Sequence, residues 1–168
     1  MEKYSSSLRY LVWMDGDAIV ANYDILVDDR VDYVQRKAGR HRRLGRNEEE
    51  LCLIWSTDGM GANAGVMVLV NTQTTRTMLH DALNTYTTEP DGAFDRWTDQ
   101  AALVTTIESN SSYQQCTIQL PSHDGQSRWV QSRVRGKPSI LYQPDDWILH
   151  LPNHNRWEIL RSITTWLS

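Results

Sequence analysis

The sequence predicts a mixed α/β fold, because short apolar runs typical of strands alternate with segments of helical periodicity. The runs Tyr10–Met14, Leu51–Trp55 and Ala64–Val70 have the length and apolar character of buried strands. Between and after them, apolar residues recur three and four positions apart, which indicates helices. With 168 residues, 40% of them hydrophobic, the chain is long enough for one domain with a core.

The first half of the chain supplies one helix between its strands. A helix is predicted over Asp28–Lys37, where Val31 and Val34 share a face. The segment Ser56–Gly61 separates the second and third strands and predicts a turn.

The middle of the chain predicts two helices. The first covers Thr74–Asn84 and the second covers Phe94–Ile107, with a turn at Pro90–Gly92 between them. In the first helix the spacing predicts one apolar side formed by Met78, Leu79, Ala82 and Leu83.

The last third of the chain predicts short strands and a closing helix. The strands are expected at Cys116–Leu120, Arg128–Ser132, Ile140–Tyr142 and Trp147–Leu151. The helix follows Asn153 or Asn155, since either side chain is a good N-cap.

Composition excludes some classes of protein. The net charge of −4 argues against a general nucleic-acid binder, and the basic stretch 37–46 is followed at once by three glutamates, Glu48–Glu50. No apolar run approaches the roughly 18 residues of a membrane span, so the sequence alone predicts a soluble chain without a transmembrane segment. Seven Trp and seven Tyr against one Phe suit sugar stacking as well as ordinary core packing.

The two cysteines and one sequon carry less information. Cys52 and Cys116 lie far apart and match no metal-ligand spacing, so buried free thiols are expected. Asn110-Ser-Ser112 is a glycosylation sequon, which can be modified only if the chain enters a secretory lumen.

The most informative motif is Asp15-Gly16-Asp17, which follows the first strand. Alternate side chains of an extended strand share a face, so Asp15 and Asp17 can point at one divalent cation while Gly16 leaves room for a ligand. Hard cations of this kind bind one or two carboxylates together with phosphate oxygens. The motif predicts a metal diphosphate site, and a solvated acidic turn is the alternative.

Three further segments could bind a ligand or serve a structural purpose. Asp58–Gly65 contains three glycines and Asn63, and is either a ligand-binding loop or a plain turn. Asp99-Gln100 either binds hydroxyl groups or forms a polar helix face. His150 points away from its apolar neighbours and is either a core histidine or a ligand at a strand end.

These motifs, in this order, resemble a GT-A glycosyltransferase. The motifs are Tyr10–Asn22 with the Asp pair, Asp58–Asn71, Asp99–Leu103 and Trp147–Pro152. The family most similar to them is the galactosyl-, mannosyl- and xylosyltransferase family of fungal and plant Golgi enzymes. The resemblance covers roughly residues 8–163.

The resemblance implies a metal-dependent transfer of a hexose or pentose from a nucleoside-diphosphate sugar to a glycan acceptor, in the Golgi lumen. It implies Asp15, Asp17 and His150 as ligands of Mn²⁺ or Mg²⁺, with Asp15 also near the ribose. By the same resemblance Asp58, Asn63 and Gly65 line the donor-sugar pocket, and Asp99 and Gln100 are catalytic. Lys137 is a further candidate for assisting the departing phosphate. Retaining and inverting chemistry both stay open.

In GT-A enzymes, strands and helices that hold the nucleobase precede the Asp pair, whereas here 14 residues precede Asp15. The expectation is therefore a partial GT-A fold, with a mixed sheet flanked by helices. Residues 1–168 would form a single glycosyltransferase-like domain truncated on its N-terminal side. Its exposed sheet edge would suit a partner chain that completes the sheet.

Two alternatives use the same residues. Haloacid-dehalogenase-like phosphatases also place Asp-x-Asp after an early strand, and Ser56 or Thr57, Lys137, and Asp145 with Asp146 follow in the expected order. Only seven residues separate Lys137 from Asp145, however, too few for the helix and strand expected there. The third hypothesis is a non-catalytic sugar-nucleotide fold that binds a glycan or a partner chain.

Overall fold

A computed structural model of the chain describes residues 8–41, 51–58, 61–88, 98–121, 127–129 and 146–150. The strands are β1 (Tyr10–Met14), β2 (Ala18–Val20), β3 (Leu53–Asp58), β4 (Gly61–Val70), β5 (Thr117–Pro121), β6 (Ser127–Trp129) and β7 (Ile148–His150). The helices are α1 (Val27–His41), α2 (Gln73–Thr88), α3 (Thr98–Ser109) and α4 (Ser111–Cys116). The predicted α/β class is confirmed.

The described strands form two mixed sheets. The larger sheet has the order β1-β4-β3-β5, in which β4 runs antiparallel to both neighbours and β5 runs parallel to β3. The smaller sheet has the order β2-β7-β6, with β2 antiparallel and β6 parallel to β7. The predicted mixed sheet flanked by helices is found among the described residues as a four-stranded sheet, whereas the GT-A assignment stays a prediction.

The two central strands of the larger sheet, β3 and β4, are buried on both faces, and each face of the sheet has its own core. One core joins the sheet to α2, α3 and α4, and includes Leu53, Trp55, Met67, Leu69, Met78, Leu103, Ile107 and Tyr113. The other joins it to α1 and the smaller sheet, and includes Val31, Val34, Ile54, Val66, Val68, Leu120, Trp147 and Ile148. Burial on both faces explains the nearly unbroken apolar run of β4.

Most predicted elements occur with shifted ends. Helix α1 buries Val31 and Val34 as expected and continues to His41. Strands β3 and β4 extend towards each other into a hairpin, with Asp58 opposite Gly61, so the predicted turn is shorter than Ser56–Gly61. Gly61 has a φ of 122°, a conformation that favours glycine.

The apolar side predicted for α2 is only partly correct. Thr75, Met78 and Ala82 are buried, whereas Leu79 and Leu83 are 36% and 59% exposed. Successive helical residues differ by about 100°, so a narrow buried stripe at every third or fourth position leaves the next residue outside. The short helix α4 was not predicted, and the segments Ile140–Tyr142 and 153–168 lie outside the described residues.

The expectation of free thiols is wrong, because Cys52 and Cys116 form a disulfide with a Cα–Cα distance of 5.1 Å. The two residues are 64 positions apart. Parallel pairing of β3 with β5 brings their starts together, and the Cys52 N–H donates to the Cys116 carbonyl over 2.7 Å. Sequence spacing contains no sign of this pairing.

No helix among the described residues combines the length and the apolar character needed to cross a membrane.

Candidate metal centre

A bulge in β4 organises the candidate site. On β3, the consecutive residues Trp55 and Ser56 pair with Met67 and Asn63 of β4, so Ala64, Gly65 and Val66 lie between these partners. Such insertions bend a strand and disrupt its hydrogen-bond ladder, and they are common beside functional sites. Here the bulge lies where the Asp15-Gly16-Asp17 segment leaves β1.

Two side-chain amides bind the N–H groups of the bulge. The Gln100 Oε1 atom accepts a hydrogen bond from the Ala64 N–H over 2.8 Å, and the Asn63 Oδ1 atom accepts one from the Gly65 N–H over 2.9 Å. Buried N–H groups without an acceptor are costly, so these amides stabilise the irregular backbone. The resemblance implies Asn63 as a lining residue of the donor-sugar pocket and Gln100 as a catalytic residue; in the structure both contact the backbone of the bulge, and those roles stay predictions.

Gly65 is the residue that lets His150 reach the site. A Cβ atom built on Gly65 would lie 1.9 Å from Cε1, 2.4 Å from Nε2 and 2.7 Å from Nδ1 of His150. The imidazole therefore lies directly against the glycine backbone, in space that any other side chain would occupy. Glycine at position 65 is required by this close approach.

The aspartates are held by a turn rather than by strand alternation. The Asp15 N–H donates to the Gly65 carbonyl over 2.8 Å, and the Ala18 N–H donates to the Asp15 carbonyl over 3.0 Å. The second bond closes a four-residue turn that brings the Asp17 side chain back towards Asp15. The predicted convergence of the two carboxylates is found, but the predicted extended geometry is not.

His150 comes from the middle strand of the smaller sheet. It pairs with Ala18 of β2 and Trp129 of β6, and its side chain is 3% exposed. The Trp147 carbonyl also accepts hydrogen bonds from Ala21 and Asn22, which fixes β7 against the chain that follows the Asp pair. His150 is buried, as expected of a core histidine, and its ring also faces the two carboxylates, while its role as a ligand stays a prediction.

The three side chains form a compact group of potential ligands. The His150 Nε2 atom lies 3.2 Å from Asp17 Oδ1 and 3.7 Å from Asp15 Oδ2. One ligand atom from each residue lies within 4.8 Å of the others, so the group could hold a metal ion. The side chains of Asp15 and Asp17 are 47% and 32% exposed, which leaves one side of the group open.

The donor set fits a divalent cation. Asp17 Oδ1 is buried and makes no hydrogen bond within the described part of the chain, and His150 Nε2 lies 3.2 Å from it, so a cation bound by both atoms would compensate the charge of the carboxylate. Two carboxylates and one imidazole provide three ligands, and octahedral cations take about six, so positions remain for ligand oxygens. A Cβ atom on Gly16 would meet nothing within 4 Å, so there is open space beside the group.

Other predicted site residues are placed less decisively. Asp58 ends β3 at the hairpin, and the side chain of Asp99 is exposed in the first turn of α3, one residue before Gln100. The hydroxyl of Thr57, a candidate residue of the phosphatase hypothesis, donates a hydrogen bond to the Leu120 carbonyl. Thr57 lies on β3, and β4 separates that strand from β1. Lys137 and Asp145 lie outside the described residues.

A cavity of about 480 Å³ lies on the α3 side of the sheet, beside Gln100. Its lining includes polar side chains from α3 and from the sheet, namely Thr57, Glu108 and Gln119, together with the fully buried Trp55. Of these residues, Trp55, Glu108 and Gln119 were not predicted as site residues, and Thr57 was predicted only as a phosphatase candidate. Trp55 and Gln119 meet through the parallel register of β3 and β5, for which the sequence contains no local signal.

A scan against protein-family models gives no match to this chain, and a search of curated proteins gives none.

Proposed function

We propose that this chain is a metal-dependent glycosyltransferase domain that transfers a hexose or pentose from a nucleoside-diphosphate sugar to a glycan acceptor. The observation that carries the proposal is the convergence of Asp15, Asp17 and His150 around one point beside open space. A three-ligand site with free positions suits a substrate that brings phosphate oxygens of its own. Mn²⁺ is the proposed ion, with Mg²⁺ as the alternative.

In this proposal some residues of the site bind the cation and others hold the backbone around it. Asp15, Asp17 and His150 would hold the cation, which when bound supplies positive charge where negative charge develops on the departing diphosphate. Asn63 and Gln100 would keep the bulge in place, so that Gly65 leaves room for the imidazole. Asp15 and Asp17 approach from the partly exposed side, where a donor would bind.

Gln100 also connects the metal centre with the cavity. Its Oε1 atom accepts a hydrogen bond from the Ala64 N–H, and Gln100 is also one of the residues that line the cavity. The side-chain amides of Gln100 and Gln119 and the Glu108 carboxylate in this lining suit the hydroxyl groups of a sugar. We propose this cavity for the transferred sugar or the acceptor, with Asp99 as the base if the enzyme inverts.

The primary test is hydrolysis or transfer of a panel of nucleoside-diphosphate sugars by the purified chain, with Mn²⁺ or with a chelator. We expect Mn²⁺-dependent release of nucleoside diphosphate, and its loss in Asp17→Asn. Absence of turnover with every donor, together with absence of Mn²⁺ binding, would contradict the proposal. Release of phosphate from p-nitrophenyl phosphate with a trapped aspartyl-phosphate would instead support the phosphatase hypothesis.

Isothermal titration separates activity from binding. Micromolar binding of nucleoside diphosphates in the presence of Mn²⁺ would support the metal diphosphate site even without turnover, and absence of binding would contradict it.

One observation favours the non-catalytic alternative with a partner chain. Strand β1 is an edge strand of the larger sheet as described, and its Leu11 and Trp13 side chains are 47% and 48% exposed. An exposed apolar edge of this kind is a template for strand addition. A stable complex with a second chain, without turnover by either the complex or the isolated chain, would support this alternative.

A further inference from the structure

The sequon Asn110-Ser111-Ser112 lies at an accessible junction between two helices. It is the only Asn-x-Ser/Thr sequence in the chain. Asn110 is partly exposed, and the serines that flank it, Ser109, Ser111 and Ser112, are exposed. Its Oδ1 atom caps α4 by accepting a hydrogen bond from the Ser112 N–H over 2.9 Å, so the side-chain nitrogen is not used in the cap.

The disulfide gives independent information about the compartment. Cys52 and Cys116 are 1% and 6% exposed and lie in the core between the larger sheet and its helices. Disulfides persist in secretory and extracellular compartments and are rare in reducing ones. Of these, the secretory lumen is where N-glycosylation takes place, which is the condition on which the sequon depends.

We propose that Asn110 is an N-glycosylation site of a chain that folds in an oxidising secretory compartment. In this modification the Asn110 Nδ2 atom forms a bond to the anomeric carbon of a lipid-diphosphate-linked oligosaccharide. The bond from that carbon to the diphosphate oxygen breaks, the diphosphate leaves with the electron pair, and the amide nitrogen loses one proton. The oligosaccharide donor and the transferring enzyme come from the host compartment, and the inference does not depend on the proposed function.

The position of Asn110 is compatible with a bulky glycan. Asn110 follows the last residue of α3, whereas Gln100 lies in the first turn of the same helix. Ten residues of helix correspond to about 15 Å. A glycan at Asn110 would therefore start at the far end of α3 from the bulge and would leave the metal centre open.

Three variants separate modification from folding. Asn110→Asp removes the acceptor nitrogen and keeps a good N-cap. Ser111→Pro blocks the sequon, and proline suits the first helical position. Asn110 has φ −130° and ψ 113°, a conformation that residues before proline favour. Ser112→Thr keeps the sequon and is the matched control.

The experiment directs the full chain into the secretory lumen of a glycosylating eukaryotic cell and measures intact mass before and after peptide-N-glycanase. We expect one glycanase-sensitive glycan on the wild type and on Ser112→Thr, none on Asn110→Asp or Ser111→Pro, and two fewer hydrogens than in the reduced chain. If secretion fails, the same measurement is made on the lumenal fraction of microsomes. A disulfide-bonded wild-type chain that carries no glycan would overturn the proposal, as would a glycan that persists in Asn110→Asp.

Discussion

Replacing Gly65 by alanine should weaken metal binding at the proposed centre, although none of the three proposed ligand residues is itself replaced. The added methyl group would lie 1.9 Å from His150 Cε1, where ordinary contact begins at 3.4 Å, so the ring must retreat by about 1.5 Å. Metal–ligand distances tolerate changes of only about 0.2 Å. His150 Nε2 would therefore be lost as a ligand.

We expect the Mn²⁺ affinity to fall at least about tenfold, because disturbing the orientation of a metal ligand costs about tenfold or more. A tenfold loss of affinity corresponds to about 1.4 kcal/mol. Crowding the buried ring should also lower the free energy of unfolding by about 1–3 kcal/mol. Gly65 does not have a positive φ in the range that disfavours alanine, so backbone strain does not contribute.

The assay is isothermal titration of Mn²⁺ into the wild type, Gly65→Ala and His150→Ala, with urea denaturation of each protein. Gly16→Ala is the matched control, because a Cβ atom there meets nothing within 4 Å. We expect Gly16→Ala to bind Mn²⁺ like the wild type and Gly65→Ala to bind like His150→Ala. A folded Gly65→Ala protein with unchanged affinity would refute the reasoning, as would equal weakening in Gly16→Ala.

Three further predictions concern the support of the site and the core. Gln100→Ala leaves the Ala64 N–H without its acceptor and should lower the free energy of unfolding, measured in urea, by about 1–3 kcal/mol. Gln100→Glu keeps an acceptor oxygen and should lower it less. Equal losses in the two variants would contradict the positioning role of Gln100. Reducing the Cys52–Cys116 bond, which closes a 64-residue separation, should lower the free energy of unfolding by about 4 kcal/mol, and no change on adding reductant would contradict the bond. The hydrogen bond to Asp81 and burial raise the pKa of Tyr113 above its ordinary value. The neutral phenol therefore stabilises the folded state fully below the ordinary pKa of about 10, and this contribution to the free energy of unfolding is lost as the pH rises through the raised pKa. Urea unfolding between pH 8 and 12 should show this loss in the wild type and a flatter profile in Tyr113→Phe.

The elements that the sequence predicted well are those whose burial pattern is local. Strand β4 is a continuous apolar run because both of its faces are covered, and α1 buries Val31 and Val34 on one side. In β4 consecutive residues share one environment, and in α1 the buried residues recur three positions apart, so the local pattern is sufficient in both elements. On α2 the buried stripe is narrower than the apolar pattern, and only packing determines that Leu83 lies outside.

The sequence by itself determined which residue types are available for a metal centre, because Asp15 and Asp17 follow one predicted strand and His150 lies in another. Tertiary structure alone decided how they meet. Asp15 and Asp17 converge through a turn, and Gly65 admits the His150 ring because the β4 bulge places its backbone there. The disulfide was likewise decided by the parallel pairing of β3 and β5. Contacts between distant segments depend on sheet register, which no local pattern in this chain specifies.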